Sequence, residues 1–360
     1  MNIVIFAGGV GTRLWPLSRK KTPKQFGKII EGKSTLQQTI DRLRPDFSEK
    51  DVFIATGDRY EEVLKEQLPE IPDDHFIFEP AMRDVGPAIG LAAFTLYQRN
   101  PDEAMAILWS DHMVKKPAEF RKMLLGAEHL IENNQSQFVL LAQKPRFANQ
   151  NMGWIHVGEQ LPEVEGIASY EFQSFKYRPT QEEASEFMKS GKYMWNLGYF
   201  VTTPRHLVSL YKSFAPEMAS ALEELIQIND QEKFREQIQT VYPSFEKISF
   251  DDLIIQKMSK DGVGVLAEDL EWSDVGAWES LKEALQEHDE ENVTHGNVSL
   301  VDSKNSLVFN YEWKLVVGID LDDLVVVNTD DVVLICHSRS IPKVKKFVEA
   351  LEGSEHEHLI

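Results

Sequence analysis

The opening of the chain decides the expected fold, and it reads Asn2–Ile3–Val4–Ile5–Phe6–Ala7–Gly8–Gly9–Val10–Gly11–Thr12–Arg13. The apolar run that ends at Ala7 predicts a buried strand. Glycines directly after a first strand allow backbone N–H groups to approach a phosphate closely. The dinucleotide fingerprint G-x-G-x-x-G is excluded because its third glycine would be Leu14. We therefore expect a strand followed by an anion-binding loop.

Apolar runs and helix-spaced patterns alternate through the first half of the chain. The predicted strands are Asn2–Ala7, Asp51–Thr56, Phe76–Glu79, Met105–Trp109 and Phe138–Ala142, and the predicted helices are Thr35–Leu43, Tyr60–Leu68, Pro87–Tyr97 and Ala118–Glu132. This alternation predicts an α/β fold built on a doubly wound, mostly parallel, Rossmann-like sheet. Ligands bind such sheets at the carboxyl ends of the strands.

The pattern changes twice further along the chain. From about residue 150 to residue 200 it becomes less regular, which indicates an insertion that builds a substrate site. After residue 291 the predicted elements are short strands, followed by a helix at Pro342–Leu351. We predict a catalytic domain at 1–286, which contains the insertion, and a small β-rich C-terminal domain at 292–360 with a terminal helix.

Charge is unevenly distributed along this acidic chain. The net charge is −20 with 58 acidic residues, yet residues 1–30 contain no acidic residue and six basic ones. The overall charge argues against nucleic acid and anionic membranes as partners, since both require a basic surface. The basic N-terminal segment predicts a small anionic ligand, although charge alone is equally consistent with a solvated basic loop.

The sequence also bears on the compartment. No apolar run reaches the roughly 18 residues that span a bilayer. The first seven residues are short for a signal peptide and lack its basic segment. The single cysteine, Cys336, excludes a disulfide within the chain. We expect a cytoplasmic protein without a membrane-spanning segment.

A second glycine motif competes for the phosphate-binding role. Gly27–Ser34 matches the P-loop pattern G-x-x-x-x-G-K-[ST], with Lys33 before Ser34. A P-loop follows a buried strand, whereas Lys20–Gln25 is basic and polar. We expect Phe26–Ile30 to form a strand that enters a turn. A P-loop kinase or NTPase remains an alternative function.

The longest motif extends the glycine-rich loop. Phe6–Arg19 reads FAGGVGTRLWPLSR, and Pro23–Phe26 reads PKQF. The string resembles the signature of the sugar-1-phosphate nucleotidyltransferases, and its extended form resembles the mannose-1-phosphate guanylyltransferases. The resemblance implies transfer of GMP from GTP to mannose 1-phosphate, giving GDP-mannose and pyrophosphate, by in-line attack on the α-phosphate with Mg²⁺ as cofactor. It also implies a nucleotidyltransferase fold with a short left-handed β-helix-like C-terminal domain, and a homodimer is among the expectations.

Three further strings resemble nucleotide-site and metal-site motifs. Glu79–Ile89 reads EPAMRDVGPAI where the family has E-P-x-x-R-N-T-A-P-A-I, so it departs at residues 84–86. A carboxylate at Glu79 would accept hydrogen bonds from both N1–H and N2–H₂ of guanine. Asp111 ends an apolar run, and Asp274 lies in the string WSDVGAW. The resemblance implies that these two carboxylates hold one Mg²⁺.

Three strings resemble the sugar site of the family. Gly153 begins GWI, and Asn196 lies in WNLGYF. Phe175–Pro179 reads FKYRP where the family has F-x-E-K-P, so Tyr177 replaces a glutamate and Arg178 replaces a lysine. Arg178 keeps a cation for the sugar phosphate and adds a bidentate fork.

The resemblance therefore assigns a set of site residues. The catalytic residues are Arg13, Lys24, Asp111 and Asp274, of which Asp111 and Asp274 are the metal ligands. The nucleotide-binding residues are Ala7, Gly8, Gly9, Gly11, Thr12, Arg13, Glu79, Pro87 and Ser110. The residues that bind the sugar phosphate are Gly153, Tyr177, Arg178 and Asn196.

Two other interpretations stay open at the level of sequence. A non-catalytic regulator on the same fold would bind GTP without releasing pyrophosphate. A related transferase would use another sugar or nucleotide, which the departures at residues 84–86, Tyr177 and Arg178 allow. The chain also ends too early for the fused isomerase domain that longer relatives have.

Overall fold

A computed structural model describes residues 1–9, 11–19, 25–30, 32–286, 288 and 290–360. Its strands are β1 (Asn2–Phe6), β2 (Lys28–Ile30), β3 (Lys33–Ser34), β4 (Val52–Gly57), β5 (Phe76–Glu79), β6 (Met105–Trp109), β7 (His112–Val114), β8 (Phe138–Gln143), β9 (Gly153–Val164), β10 (Ile167–Tyr177), β11 (Tyr193–Thr202), β12 (Val263–Ala267), β13 (Trp272–Asp274), β14 (Val293–His295), β15 (Val298–Val301), β16 (Leu307–Asn310), β17 (Val316–Ile319), β18 (Leu324–Asn328) and β19 (Val333–His337). Its helices are α1 (Thr35–Asp41), α2 (Glu61–Gln67), α3 (Val85–Arg99), α4 (Pro117–Glu132), α5 (Gln181–Ser190), α6 (Pro204–Phe214), α7 (Pro216–Ile226), α8 (Gln231–Val241), α9 (Phe250–Leu253), α10 (Trp278–Leu285) and α11 (Pro342–Ala350).

The chain divides into two compact units, each assembled from separate segments. Unit 1 comprises Met1–Gly8, Ile40–Trp109 and Lys115–Glu271. Unit 2 comprises Gly9–Thr39, Ser110–Val114 and Trp272–Ile360. Several of the predicted site segments therefore belong to unit 2 although they lie far from residue 292 in the sequence.

Unit 1 is built on a mixed sheet with the order β5-β4-β1-β6-β11-β8-β12-β10-β9. The run from β5 to β6 is parallel, and β8 pairs in parallel with β12. This arrangement confirms the predicted α/β class with its Rossmann-like parallel core. The carboxyl ends of β1, β4, β5 and β6 lie at one edge because these strands are parallel, so Ala7 and Glu79 lie at the ligand-binding edge of this sheet.

Strand β11 departs from the simple alternation that the sequence predicts. It is antiparallel to both β6 and β8, and it also pairs with the start of β9. Its residues are almost all buried because they lie within the sheet. The position of β11 brings Asn196 beside Gly153, which matters for the candidate sugar site.

Unit 2 contains a short parallel stack of strands towards its C-terminal end. β14, β16 and β18 pair in parallel, as do β15 and β17, and β19 closes the first of these sheets in antiparallel fashion. Val298 pairs with Val316, and Leu307 pairs with Val325, so these two strand pairs share one offset, whereas Val293 pairs with Leu307 at a shorter one. This coiled geometry confirms the predicted β-rich, β-helix-like region.

The core of unit 2 joins this β-rich region to the glycine-rich segment. Leu14 packs with Trp278 and with apolar residues of β16 and β18. The indole N–H of Trp278 donates a hydrogen bond to the carbonyl oxygen of Trp15 at 3.0 Å. The β-helix-like region therefore shares its core with the loop that follows β1 and stabilises that loop.

The Gly27–Ser34 segment does not have the geometry of a P-loop. Lys28–Ile30 pairs in antiparallel fashion with Lys33–Ser34, which forms a hairpin before α1. A P-loop instead wraps a phosphate with a loop between a buried strand and a helix. The alternative based on Lys33 and Ser34 is therefore wrong, while the predicted strand is present as β2. Within the described ranges, no helix is both long enough and apolar enough to cross a membrane.

Candidate active site

The end of β1 holds the first predicted nucleotide residues in unit 1. The backbone N–H of Ala7 donates to the carbonyl of Ala55 at 2.9 Å, and the Thr56 hydroxyl donates to the Ala7 carbonyl at 2.6 Å. Both backbone polar groups of Ala7 are therefore fixed by hydrogen bonds to β4. Gly8 is exposed, and a side chain at residue 8 would meet no heavy atom within 4 Å of its Cβ.

The glycine-rich segment continues in unit 2 with two left-handed residues. Gly9 has φ +94°, and the Gln25 side chain donates to its carbonyl at 3.1 Å. Gly11 has φ 60° and ψ 32°, and the Leu14 N–H donates to its carbonyl at 2.9 Å. A Cβ makes a positive φ unfavourable. Glycine is therefore required at both positions for the turn that carries Thr12 and Arg13.

Arg13 offers an exposed cation in unit 2. A Cβ placed on Gly276 would lie 3.0 Å from Nη2 of Arg13, so the guanidinium lies against the Asp274–Gly276 backbone. Glycine at 276 leaves space for this side chain. Lys24, the other predicted catalytic cation, lies outside the described residues, as does Pro23 of its motif.

The two predicted metal ligands are brought together in unit 2, although about 160 residues separate them in the sequence. β7 and β13 pair in antiparallel fashion, with Asp274 opposite His112, and the Val275 N–H donates to the carbonyl of Asp111 at 3.0 Å. Asp274 is exposed, and Asp111 is partly exposed. Nε2 of His112 lies 3.8 Å from Oδ1 of Asp111. The backbones of Asp111, just before β7, and of Asp274 in β13 are therefore adjacent.

Ser110, the residue before Asp111, lies in the protein interior. Its carbonyl accepts a hydrogen bond from the Thr39 hydroxyl at 3.5 Å. This contact ties the segment that carries Asp111 to α1. Ser110 was predicted to bind nucleotide. The hydrogen bond from Thr39 fixes its backbone carbonyl.

The predicted base-reading carboxylate, Glu79, lies at the end of β5 in unit 1. The hydroxyl of Tyr242 donates a hydrogen bond to Oε2 of Glu79 at 2.7 Å. Burial raises the pKa of Glu79, while the hydrogen bond from Tyr242 and the charge of Arg59 lower it. A carboxylate in this position can accept hydrogen bonds from a base. The contact with Tyr242 was not predicted from the sequence.

The departures at residues 84–86 have local structural causes. Asp84 is the N-cap of α3, with φ 66°, and its carboxylate accepts from the Val85 N–H at 2.8 Å. The N–H of Gly86 donates to the carbonyl of Ile248 at 3.0 Å, and a Cβ at residue 86 would lie 2.6 Å from that oxygen. The expected alanine therefore does not fit here. Pro87 follows as a buried residue of the first turn.

The predicted sugar residues converge on Gly153 in unit 1. Gly153 pairs with Tyr177 on β10 and with Asn196 on β11. A Cβ on Gly153 would lie 2.7 Å from the Phe175 ring and 3.3 Å from Cβ of Asn196, so glycine is required for this close approach. The guanidinium of Arg178 lies 4.9 Å from the centre of the Tyr177 ring and is exposed.

Sequence reasoning missed a carboxylate beside these residues. The side-chain amide of Asn196 donates to Oδ1 of Asp251 at 3.4 Å. Burial, reinforced by the neighbouring Asp252, raises the pKa of Asp251 to about 6, and the charge of Arg178 opposes this shift. The only sequence signal was a pair of acids after Ser249, which caps α9 through its hydroxyl. Such a pair is typical of a helix N-terminus, so it did not indicate a site.

Trp195 and Trp278 belong to motifs, yet both are buried. Trp195 is 2% exposed and Trp278 is fully buried. Trp195 packs edge-on against Phe147 and Trp154, with ring centres 4.9 Å and 6.3 Å apart. Trp195 supports the sheet and the loop before β9, whereas Trp278 packs in the core of unit 2, so both are core aromatics.

Comparisons with known proteins identify the family of the chain. The Nucleotidyl transferase family matches residues 2–291, and the MannoseP isomerase/GMP-like beta-helix domain matches residues 296–351. A mannose-1-phosphate guanylyltransferase of Escherichia coli is 33% identical over 359 residues, which cover 98% of this chain and 75% of the relative. Another of Salmonella typhimurium is 32% identical over 361 residues, which cover 99% and 74%.

A solved structure extends the likeness to the fold. The crystal structure described as mannose-1-phosphate geranyltransferase from Thermus thermophilus matches with a TM-score of 0.84 and 28% identity, covering 98% of this chain and 99% of that one. The motif resemblance is thus confirmed over nearly the full chain. The chain belongs to the nucleotidyl transferase family and, within it, to the mannose-1-phosphate guanylyltransferases.

Proposed function

We propose that this chain transfers GMP from GTP to mannose 1-phosphate, forming GDP-mannose and pyrophosphate in a Mg²⁺-dependent reaction. Membership of the family implies a nucleoside triphosphate and a sugar phosphate as substrates. The finer assignment to GTP and mannose follows the names of the relatives. The structural observation that supports nucleotidyl transfer is the β7–β13 pairing, in which Asp274 lies beside the segment of Asp111.

The residues of this pair suit a magnesium ion that also binds substrate. Within the described part of the chain, no group of three or more His, Cys, Asp or Glu side chains could hold a metal. Mg²⁺ is commonly bound through one or two carboxylates together with substrate phosphates. Asp111 and Asp274 supply two such carboxylates, and Mg²⁺ bound there would neutralise charge on the reacting phosphates.

The acceptor needs no general base. A sugar phosphate is largely ionised at neutral pH, because its second pKa is about 6. Its oxygen forms a new bond to the α-phosphorus of GTP, and the bond from that phosphorus to the bridging oxygen breaks as pyrophosphate leaves. The remaining tasks are orientation and charge neutralisation, which fixed cations and backbone amides perform.

Each task has a candidate group in the chain. Arg13 would contact the triphosphate and the departing pyrophosphate, and the amides around Gly8–Gly11 would bind phosphate oxygens. Glu79 would accept hydrogen bonds from guanine. Arg178 would bind the sugar phosphate, while Asn196 and the adjacent Asp251 would bind sugar hydroxyls.

A pyrophosphate-release screen tests this function directly. Four nucleoside triphosphates would be combined with mannose, glucose and galactose 1-phosphates, each with Mg²⁺ and with EDTA. We expect GTP with mannose 1-phosphate to give the largest kcat/KM and EDTA to abolish release. Binding of GTP without release would support the regulator, and a larger kcat/KM for another pair would support the related transferase.

Two lysine substitutions separate this function from a P-loop enzyme. Lys24→Ala should reduce turnover strongly, since the motif resemblance implies that Lys24 would contact the reacting phosphates. Lys33→Ala should leave turnover close to the wild type. We also propose a cytoplasmic homodimer, which cell fractionation and analytical ultracentrifugation would test.

A further inference from the structure

The hydrogen bond between Tyr242 and Glu79 has no counterpart in the motifs. Tyr242 lies in the short turn that follows α8 and is fully buried. Its ring packs edge-on against Phe245, with ring centres 5.3 Å apart. Because the ring is enclosed, the hydroxyl has a fixed position, and it donates to Oε2 of Glu79 at 2.7 Å.

We propose that Tyr242 is a positioning residue for guanine: its hydroxyl holds the Glu79 carboxylate in the orientation that accepts N1–H and N2–H₂. This inference rests on the proposed function, because it takes guanine as the base. An ionised carboxylate has about four acceptor sites on its two oxygens. One is used by Tyr242, so both oxygens keep capacity for the two donors of the base.

The segment that carries Tyr242 also holds the start of α3. The carbonyl of Ile248 accepts from the Gly86 N–H at 3.0 Å, and the hydroxyl of Tyr211 donates to the Gly86 carbonyl. The side chain of Glu79 and the backbone of Gly86 are therefore fixed by residues between 242 and 248 together with α6. Carboxylate and helix start form one rigid frame within unit 1.

The surroundings of the pair raise the pKa of both Glu79 and Tyr242. Burial raises the pKa of Glu79, and the hydrogen bond from Tyr242 lowers it. Burial and the Glu79 charge raise the pKa of Tyr242, so its phenol stays protonated and remains a donor. The other charged groups that act on the pair are Asp58, Arg59, Arg83 and Asp84.

Tyr242→Phe tests the role of the hydroxyl while keeping the ring. We would measure kcat and KM for GTP, ITP and ATP with mannose 1-phosphate as the acceptor. ITP keeps N1–H but lacks the 2-amino group, and ATP lacks both donors. We expect kcat/KM for GTP to fall about tenfold, mainly through KM. This is the size of effect expected when one charge-assisted hydrogen bond to the base is weakened. The GTP-to-ITP ratio should fall, and ATP should change little.

The pH profile gives a second signature. Removing the hydroxyl removes an interaction that lowers the pKa of Glu79, so this pKa should rise further. The acidic limb of kcat/KM for GTP should therefore move to higher pH in Tyr242→Phe. Tyr97→Phe is the matched control, since it removes a hydroxyl from the distal part of α3. It should leave both the base preference and the pH profile unchanged.

A double-mutant cycle separates positioning of Glu79 from general packing. Glu79→Gln replaces one acceptor oxygen by an NH₂ donor, so it should remove most of the preference for GTP. In the Glu79→Gln background, Tyr242→Phe should have little further effect. Equal losses in both backgrounds, or equal losses for all three nucleotides, would show a merely structural role and overturn the inference.

Direct binding distinguishes this inference from the proposed function. Calorimetric titration with GTP, ITP and ATP needs no turnover. Wild-type protein that prefers GTP in binding but releases no pyrophosphate would contradict the proposed reaction while leaving the Tyr242 comparison intact. No wild-type preference for GTP over ATP, or an unchanged GTP-to-ITP ratio in Tyr242→Phe, would overturn the role of Tyr242.

Discussion

The side-chain amide of Asn196 donates a hydrogen bond to the Asp251 carboxylate at 3.4 Å, joining β11 to the four-residue helix α9. The amide oxygen of Asn196 accepts from the Gly198 N–H at 3.1 Å, which fixes its orientation. Asp251 thus presents a carboxylate next to Asn196, near the position where Tyr177 replaces an acidic residue. This pair is the best candidate in unit 1 for contacts with sugar hydroxyls.

Asp251→Asn should weaken the use of mannose 1-phosphate. An amide loses the charge that strengthens a hydrogen bond to a sugar hydroxyl, so KM should rise by roughly tenfold or more. Steady-state kinetics with varied mannose 1-phosphate at saturating GTP would measure this change. Asp252→Asn alters the exposed neighbour and serves as the control. An unchanged KM in Asp251→Asn would remove Asp251 from the sugar site.

The same substitution should increase stability at neutral pH. The folded-state pKa of Asp251 is about 6, above the ordinary value of 3.8. Between these pH values the unfolded chain releases a proton that the folded chain keeps, so the free energy of unfolding falls as pH rises through this window. Asp251→Asn should recover up to about 3 kcal/mol above pH 7 and little near pH 4. Thermal unfolding from pH 4 to 8 would show it, and a lower Tm at pH 8 would contradict it.

Asp111→Asn and Asp274→Asn should each abolish turnover without unfolding the protein. Each removes one of two carboxylates on paired strands, and the loss of charge stabilisation should reduce kcat by roughly a hundredfold or more. Circular dichroism and Mg²⁺ titration of activity would be measured together. Asp302→Asn, an exposed acid elsewhere in unit 2, is the control. Near-normal activity of either variant at saturating Mg²⁺ would exclude a shared metal site.

Arg13→Ala should lower kcat more than it raises KM for GTP. The guanidinium is expected to act when negative charge moves onto the departing pyrophosphate, so its effect belongs to the transition state. Gly276→Ala should give a weaker version of the same defect, because its Cβ would lie 3.0 Å from Nη2 of Arg13 and would displace the side chain. An Arg13→Ala enzyme with normal kcat and only a raised KM would contradict this role.

Tyr177→Glu should sharpen the preference for mannose over glucose. A phenol offers one polar group, whereas a carboxylate accepts two strong hydrogen bonds, and the difference is about 1.5–3 kcal/mol or roughly 10–150-fold. We expect the wild type to separate the two sugar phosphates by a modest ratio in kcat/KM, and the variant to separate them further. Wild-type discrimination above about a thousandfold would show that other residues read the sugar.

The sequence predicted the elements with strong apolar periodicity and the motifs that follow them. β5 and β6 have the predicted bounds because each is a short apolar run within the sheet. Helix α5 was missed because its pattern is mostly polar. Its start nevertheless carried a signal: Thr180 and Glu183 form a capping box, and this pairing could have been identified.

The candidate site was predictable only where its residues lie in continuous motifs. Asp111 and Asp274 were both singled out, yet their meeting depends on the pairing of two three-residue strands that are too short to show a pattern. Tyr242 and Asp251 were missed because each is connected to a predicted site residue by a single side-chain hydrogen bond. These bonds form only when the chain folds. A lone buried Tyr or an acid at a helix start has no local pattern that distinguishes it from an ordinary residue.

The interleaving of the two units has a consequence for synthesis on the ribosome. β7 leaves the ribosome long before β13, with which it pairs. At roughly 5–20 residues per second, the intervening chain takes about 10–30 s to appear. During this interval Asp111 lacks the neighbouring strand that carries Asp274. This holds whether or not the strands before β7 have already folded. A nascent chain therefore completes its carboxylate pair only after most of its length has been translated, and we expect incomplete chains to be inactive.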